Sequence, residues 1–294
     1  LSINYICNSI APMSDTPLKH NSDSSQTSVP HIDNEALRRR FNPDGSPLRN
    51  HQLRLLEMLK FLDGVCRKHG IKYWLSSGNC IGAVRHGGFV PWDDDIDVEM
   101  MRDDYLKFVE VFKETDEYVL QTYQNDPYYM MPFAKMRDKN SEIYEEINGH
   151  DISANFRYKG IFIDIFYIEP APWLPVRVLD SLNYYMVVWS SKLNGSRPNR
   201  LFHMTRKMMF GTFSLMRRLF SKHSRRLFPT YGAGFHNPRK IEDNLSDTIL
   251  MAYEDGMYPV PRNYDSYLRG IYGEYMSLPD LDSLHVHLPS LALK

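Results

Sequence analysis

Cysteine is scarce, long apolar runs are missing, and neither sign of charge dominates. The three cysteines (Cys7, Cys66, Cys80) are too few and too scattered for a disulfide framework or a zinc site, which predicts a reducing compartment. No window approaches the roughly 18–20 consecutive apolar residues that cross a bilayer; the longest candidate, residues 184–189, is far shorter. Residues 1–12 lack the cationic start and apolar run of a secretory leader. A formal net charge of -1 leaves no basic excess for bulk nucleic-acid binding. These absences predict a soluble, cytoplasmic protein, and 294 residues suffice for one large or two smaller domains.

What is present divides the chain into three parts. Residues 1–46 are rich in Ser, Asp, Asn and Thr with few apolar anchors, and are predicted to form a disordered tail ending in the turn cluster Asn42-Pro43-Asp44-Gly45-Ser46. Residues 47–170 alternate helix and strand patterns. Leu53, Leu56, Leu59, Leu62 and Val65 fall at helical spacing ahead of Gly70, and strands are predicted at 71–75, 95–98, 118–123, 133–137 and 160–168. That order predicts an α/β (α+β) domain, a mixed sheet flanked by helices. Residues 171–294 begin with a helical portion at 176–228 and end in a Tyr- and Pro-rich stretch that folds back over the core. No acidic residue occurs from Ser181 to Ile241, while Arg206, Lys207, Arg217, Arg218, Lys222, Arg225 and Arg226 make the segment 206–226 basic. Two readings of it stand: a solvated helical face, or peripheral contact with the inner face of an anionic membrane.

The chemistry concentrates on Trp92-Asp93-Asp94-Asp95-Ile96-Asp97. In an extended strand alternate side chains share a face, so Asp93, Asp95 and Asp97 project one way and Asp94 the other. Crowded carboxylates raise one another's pKa unless a cation lies between them, and an all-oxygen set suits Mg²⁺ or Mn²⁺. Asp164, flanked by Ile163 and Ile165, needs a partner or a metal, and a neighbouring strand would bring it beside Asp95 and Asp97. The candidate metal ligands are therefore Asp93, Asp95, Asp97 and Asp164, and the last three are the candidate catalytic residues. Ser77-Gly78-Asn79 opens a predicted short helix whose amides suit phosphate, with Arg85, Lys135 and Arg137 as supplementary cations. The plainer alternatives are a solvated acidic turn, a core Asp164 paired with Arg or Lys, a structural His86, and Cys66 and Cys80 as core thiols.

The stretch from Trp74 to Val98, with Gly87-Gly88-Phe89-Val90-Pro91-Trp92-Asp93-Asp94-Asp95-Ile96-Asp97 at its centre, closely resembles the signature of the LicD family, which contains phosphocholine transferases and is related to fukutin-type ribitol-phosphate transferases. Arg102-Asp103-Asp104-Tyr105, Ala134-Lys135-Met136-Arg137-Asp138, Gly160-Ile161-Phe162-Ile163-Asp164 and Tyr272-Gly273-Glu274-Tyr275 extend the likeness over about residues 48–287. The resemblance implies a nucleotidyltransferase-like fold, Mg²⁺ dependence, and transfer of a phosphorylated alcohol from a CDP-activated donor to a sugar hydroxyl of a cell-surface or lipid-linked glycan. CDP-choline is the first donor and CDP-ribitol or CDP-glycerol the alternative. Asp95 and Asp97 match the family's metal-binding pair and Asp164 its later strand carboxylate. One departure stands out: many members have Gly-Thr or Gly-Ser where this chain has Gly78-Asn79. A choline donor further predicts an aromatic cage, for which Trp92 and Tyr128 are candidates. Outside that family, a metal-dependent glycosyltransferase and a non-enzymatic membrane-associated scaffold are the competing classes.

Overall fold

The computed structural model describes residues 32–147, 150–191, 200–221, 224–230, 238–284 and 292–293. Most of the expected tail (1–31) lies outside the described residues, but its last part is ordered. Asn34–Phe41 is helix α1, started by Asp33, whose side chain accepts the Ala36 N–H. The expectation of a disordered tail as far as residue 46 is therefore corrected from residue 34 onward. The helix is held from outside: Asn34 bonds His86 and the Arg85 carbonyl, and Phe41 meets Trp92 edge to face at 5.3 Å.

Helix α2 (Pro47–His69) carries the full set of end signals. Ser46 caps the Arg49 N–H, Pro47 takes the first turn, and Gly70 closes the helix in the left-handed region at φ 60. Its core stripe is Leu48, Leu55, Leu59, Leu62 and Cys66, so Leu53, expected inside, is 43% exposed. Then follow strand β1 (Trp74–Leu75), the one-turn helix α3 (Ser77–Ile81) continuing as a π-helical turn (Gly82–His86), β2 (Asp97–Met101), α4 (Arg102–Val111), β3 (Tyr118–Gln121) and β4 (Ala134–Asp138). Short strands β5 (Ser141–Glu142), β6 (Glu146–Ile147) and β7 (His150–Asp151) lead to the long β8 (Phe162–Pro170).

The central sheet is mixed and seven-stranded, with the order β1-β2-β8-β4-β3. β2 runs parallel to β8, and the other neighbours in that order are antiparallel. This is the predicted fold class. Helices α5 (Trp173–Ser191) and α6 (Arg200–Phe220) come next. The chain then returns to the sheet: β9 (Arg226–Pro229) pairs with β8, and β10 (Arg239–Lys240) with β9. The hairpin β11 (Thr248–Tyr253) and β12 (Gly256–Pro261) and helix α7 (Tyr264–Tyr272) put Tyr253, Val260, Tyr267 and Leu268 into the same apolar core as α2. The C-terminal stretch thus shares the core of α2, and the Tyr253 hydroxyl accepts from Asn79 Nδ2 at 3.4 Å.

Candidate active site

The acidic run is not a strand until its last residue. Pro91 and Trp92 form a turn, residues 93–96 are irregular backbone, and β2 begins at Asp97. The alternation expected for Asp93, Asp95 and Asp97 therefore does not apply, and Asp94 is not turned away. One carboxylate oxygen from each of Asp93, Asp94 and Asp95 lies within 4.8 Å of the others. The backbone explains this clustering. Gln52 Nε2 donates to the Asp93 carbonyl (2.8 Å), His51 Nε2 to that of Asp94 (2.8 Å) and Asn79 Nδ2 to that of Asp95 (3.0 Å). Three successive carbonyls are held by α2 and α3, which leaves the carboxylates to crowd together on what remains.

Asp97 and Asp164 are brought together by register. They face each other on parallel β2 and β8, and Lys135 of β4 faces Asp164 on its other side. The Lys135 ammonium lies 2.9 Å from Asp164 Oδ1 and 3.0 Å from Glu145, and 3.2 Å from the centre of the Phe162 ring. Asp164 is thus both a member of the acidic set and the partner of a lysine, which joins two of the readings given above.

Burial drives the protonation of this set. Asp93 sits well above the usual carboxylate range, chiefly because it is buried and then because Asp95, Asp94 and Asp97 surround it. Asp97 is raised likewise by burial, then by Asp95 and Asp164, against a lowering by Lys135. Asp94 is pushed up to about 7 by burial and Asp95. Burial also raises Asp164, and Lys135 opposes it. Four carboxylates that hold protons more tightly than in water form a site where a cation gains by replacing them. All-oxygen donors at this density fit a hard divalent ion such as Mg²⁺ or Mn²⁺.

The expected phosphate contacts fare differently. Asn79 is buried and used at both ends: its Oδ1 accepts the Asp97 N–H (2.6 Å) while its Nδ2 serves Asp95. It templates the aspartate run instead of facing a donor. Arg137 is completely buried, donating to Gln121, the Gly160 carbonyl and Glu145. Arg85 donates to the carbonyls of Tyr275 and Ser277. Both arginines hold structure together and are withdrawn as donor contacts; Lys135 keeps its place beside the acids. His86 has both ring nitrogens engaged, one by Arg85 and one by Asn34, and burial and Arg85 lower its pKa to about 3. Trp92 packs on Phe41 and His86, so α1 covers one side of it.

Ser77 stands apart: it occupies the left-handed region at φ 47, a conformation that costs a non-glycine residue about 1–2 kcal/mol. Tyr267 holds it there by accepting the Ser77 N–H at 3.2 Å and approaching Ser76 Oγ at 3.2 Å. The Tyr267 hydroxyl itself donates to buried Glu99, which also binds Trp74 and Arg239. Sequence reading missed Glu99, Glu145 and Tyr267. Local pattern marks none of them, because their partners lie on other elements.

Residues 70–185 match the family model described as LicD/FKTN/FKRP, nucleotidyltransferase domain. Over 266 residues the chain is 29% identical to the lipopolysaccharide cholinephosphotransferase LicD of Haemophilus influenzae, spanning 82% of this chain and 95% of that protein. Over 50 residues it is 40% identical to the ribitol 5-phosphate transferase FKRP of Mus musculus and of Homo sapiens, spanning 17% of this chain and 10% of each relative. Residues 70–185 are thus a LicD-type nucleotidyltransferase domain, and the similarity to LicD runs beyond it on both sides.

Proposed function

We propose that the chain transfers phosphocholine from CDP-choline to a sugar hydroxyl of a cell-surface glycan, releasing CMP. The observation that carries this reading is the near full-length similarity to a cholinephosphotransferase, taken with a carboxylate cluster suited to phosphoryl transfer. In this reading Asp95 and Asp97 would hold Mg²⁺, with Asp93 and Asp164 completing the set, and the bound ion would supply charge neutralisation at the donor diphosphate. Asp164 takes the proton of the attacking hydroxyl: burial raises its proton affinity, and Lys135 at 2.9 Å opposes that rise. Lys135, already shared between Asp164 and Glu145, exchanges one of these partners for a donor phosphate oxygen. A panel of CDP-choline, CDP-ribitol and CDP-glycerol, read as CMP release in Mg²⁺, should show turnover with CDP-choline at least about tenfold above the polyol donors. Preference for CDP-ribitol would transfer the reading to the FKRP-like alternative, which the short match supports more weakly. UDP release from a UDP-sugar control is not expected.

Metal binding should also be visible in stability. Below the ordinary carboxylate range all four acids are protonated in both folded and unfolded chains. Above it the unfolded chain loses its protons first, so the raised acids oppose folding progressively up to their own pKa, about 7 for Asp94. Mg²⁺ removes this opposition. The rise in thermal midpoint caused by Mg²⁺ should therefore grow from pH 5 to pH 7. Glu145, held near 2 by Arg137 and Lys135 against its burial, is ionised throughout that window. His86, lowered by burial and Arg85, contributes equally with and without the ion; His51 is lowered mainly by burial and raised by Asp95, so a cation there would lower it further and add to the same trend. A Mg²⁺ effect independent of pH would count against cation–proton exchange at this cluster.

A further inference from the structure

Helices α5 and α6 each bury one apolar face and expose another. On α5 the exposed stripe is Leu174, Val178, Leu182, Tyr185 and Trp189, one residue per turn. On α6 it is Leu201, Met204, Met208, Leu215 and Leu219. These ten side chains are between 44% and 69% exposed, in a protein whose other large apolar groups are mostly buried. The opposite faces are filled normally, by Val176 and Leu179 on α5 and by Phe202, Met209 and Phe213 on α6. An exposed stripe running the length of two helices is a contact surface.

The charge beside it selects the partner. Among the described residues from 172 to 230, every exposed charged side chain is cationic: Arg177, Lys207, Arg218, Arg225 and Arg226. The one acid, Asp180, is buried. Lys207 and Arg218 stand three turns apart along one border of the α6 stripe. Two other cations of the basic segment are used internally. Arg206 is buried against the Tyr123 ring at 3.7 Å and donates to the Met130 carbonyl, and Arg217 pairs with Glu169 at 2.8 Å; Lys222 lies outside the described residues. No described helix is long and apolar enough to cross a membrane. Apolar side chains bordered by cations alone, on helices that cannot span, fit the headgroup region of an anionic bilayer.

We infer that α5 and α6 seat the protein on an anionic lipid surface through these two stripes. The seat is tied to the candidate site by the internal cations: Arg206 holds the loop that leads into β4 and Lys135, and Arg217 holds β8, which carries Asp164. The inference extends the proposed function by setting its glycan acceptor at a membrane, yet it does not depend on the donor, because lipid binding is read without turnover.

Co-sedimentation of the full chain with vesicles of phosphatidylcholine containing 30% phosphatidylglycerol tests it, against pure phosphatidylcholine. The anionic vesicles should bind at least about tenfold more tightly, and the double variant Lys207→Glu/Arg218→Glu should lose about that factor. Met208→Gln/Leu215→Gln should weaken binding similarly with the thermal midpoint unchanged, since both side chains are already in water. Equal binding to both vesicles, or indifference to both variants, would overturn the inference. So would a dimer in sedimentation equilibrium that Leu215→Gln dissolves in a protein that binds no vesicles, because the stripes would then meet a second copy. Absence of CMP release with normal vesicle binding would sink the proposed function and leave this seat standing.

Discussion

Asp97→Asn should lower CMP release by at least about a thousandfold, on the order of 4 kcal/mol of transition-state stabilisation, while raising the thermal midpoint of the metal-free protein. The two effects have one cause. Asp97 is raised in pKa chiefly by burial and then by Asp95 and Asp164, so a neutral amide relieves a cost of ionisation that a cation would otherwise offset. The substitution leaves the local backbone contacts in place, because Asn79 bonds the Asp97 main-chain N–H and Ser76 donates to its carbonyl. Turnover and calorimetry in chelator check both halves. Loss of activity accompanied by loss of stability would make Asp97 a structural residue, and unchanged activity would remove it from the site.

The largest stability effect is expected at a residue outside the acidic run. Glu145 is buried and receives both Arg137 and Lys135. Glu145→Ala would leave two buried cations short of their shared counter-charge. Arg137 would retain Gln121 and the Gly160 carbonyl, and Lys135 would retain Asp164. Breaking one member of such a buried set costs about 3–5 kcal/mol, or on the order of 10 °C in thermal midpoint for a domain of this size. Urea denaturation would read it directly. A loss below about 1 kcal/mol would mean that Gln121 and Asp164 carry the two cations unaided.

The fold was legible where a segment's own chemistry decides its conformation. Helix α2 has its cap, its proline and its left-handed glycine at its own ends, and six of the nine residues of β8 are isoleucine, phenylalanine or tyrosine. Register was legible in outcome: an aspartate between isoleucines needs a partner, and pairing across the sheet supplies Asp97 on one side and Lys135 on the other. The acidic run misled because alternation holds only for a strand in a ladder. Here Gln52, His51 and Asn79, from two helices, fix the carbonyls and turn the side chains together. Helix α1 was invisible for a related reason: apart from its Asp33 cap it contributes a single buried residue, Leu37, and is held by Trp92 and His86 from a distant segment. Arg85 and Arg137 looked like phosphate ligands because sequence shows a charge without showing what already binds it. Glu99 meets Arg239 across 140 positions, a separation over which no local pattern operates.

Titration with Mn²⁺ followed by electron paramagnetic resonance tests the central claim most directly, since it detects the cation without requiring the donor or acceptor. The wild-type chain should bind Mn²⁺ competitively with Mg²⁺, and Asp95→Asn and Asp97→Asn should each weaken that binding at least about tenfold while remaining folded. Mn²⁺ binding unchanged in both variants would contradict a metal centre on these aspartates.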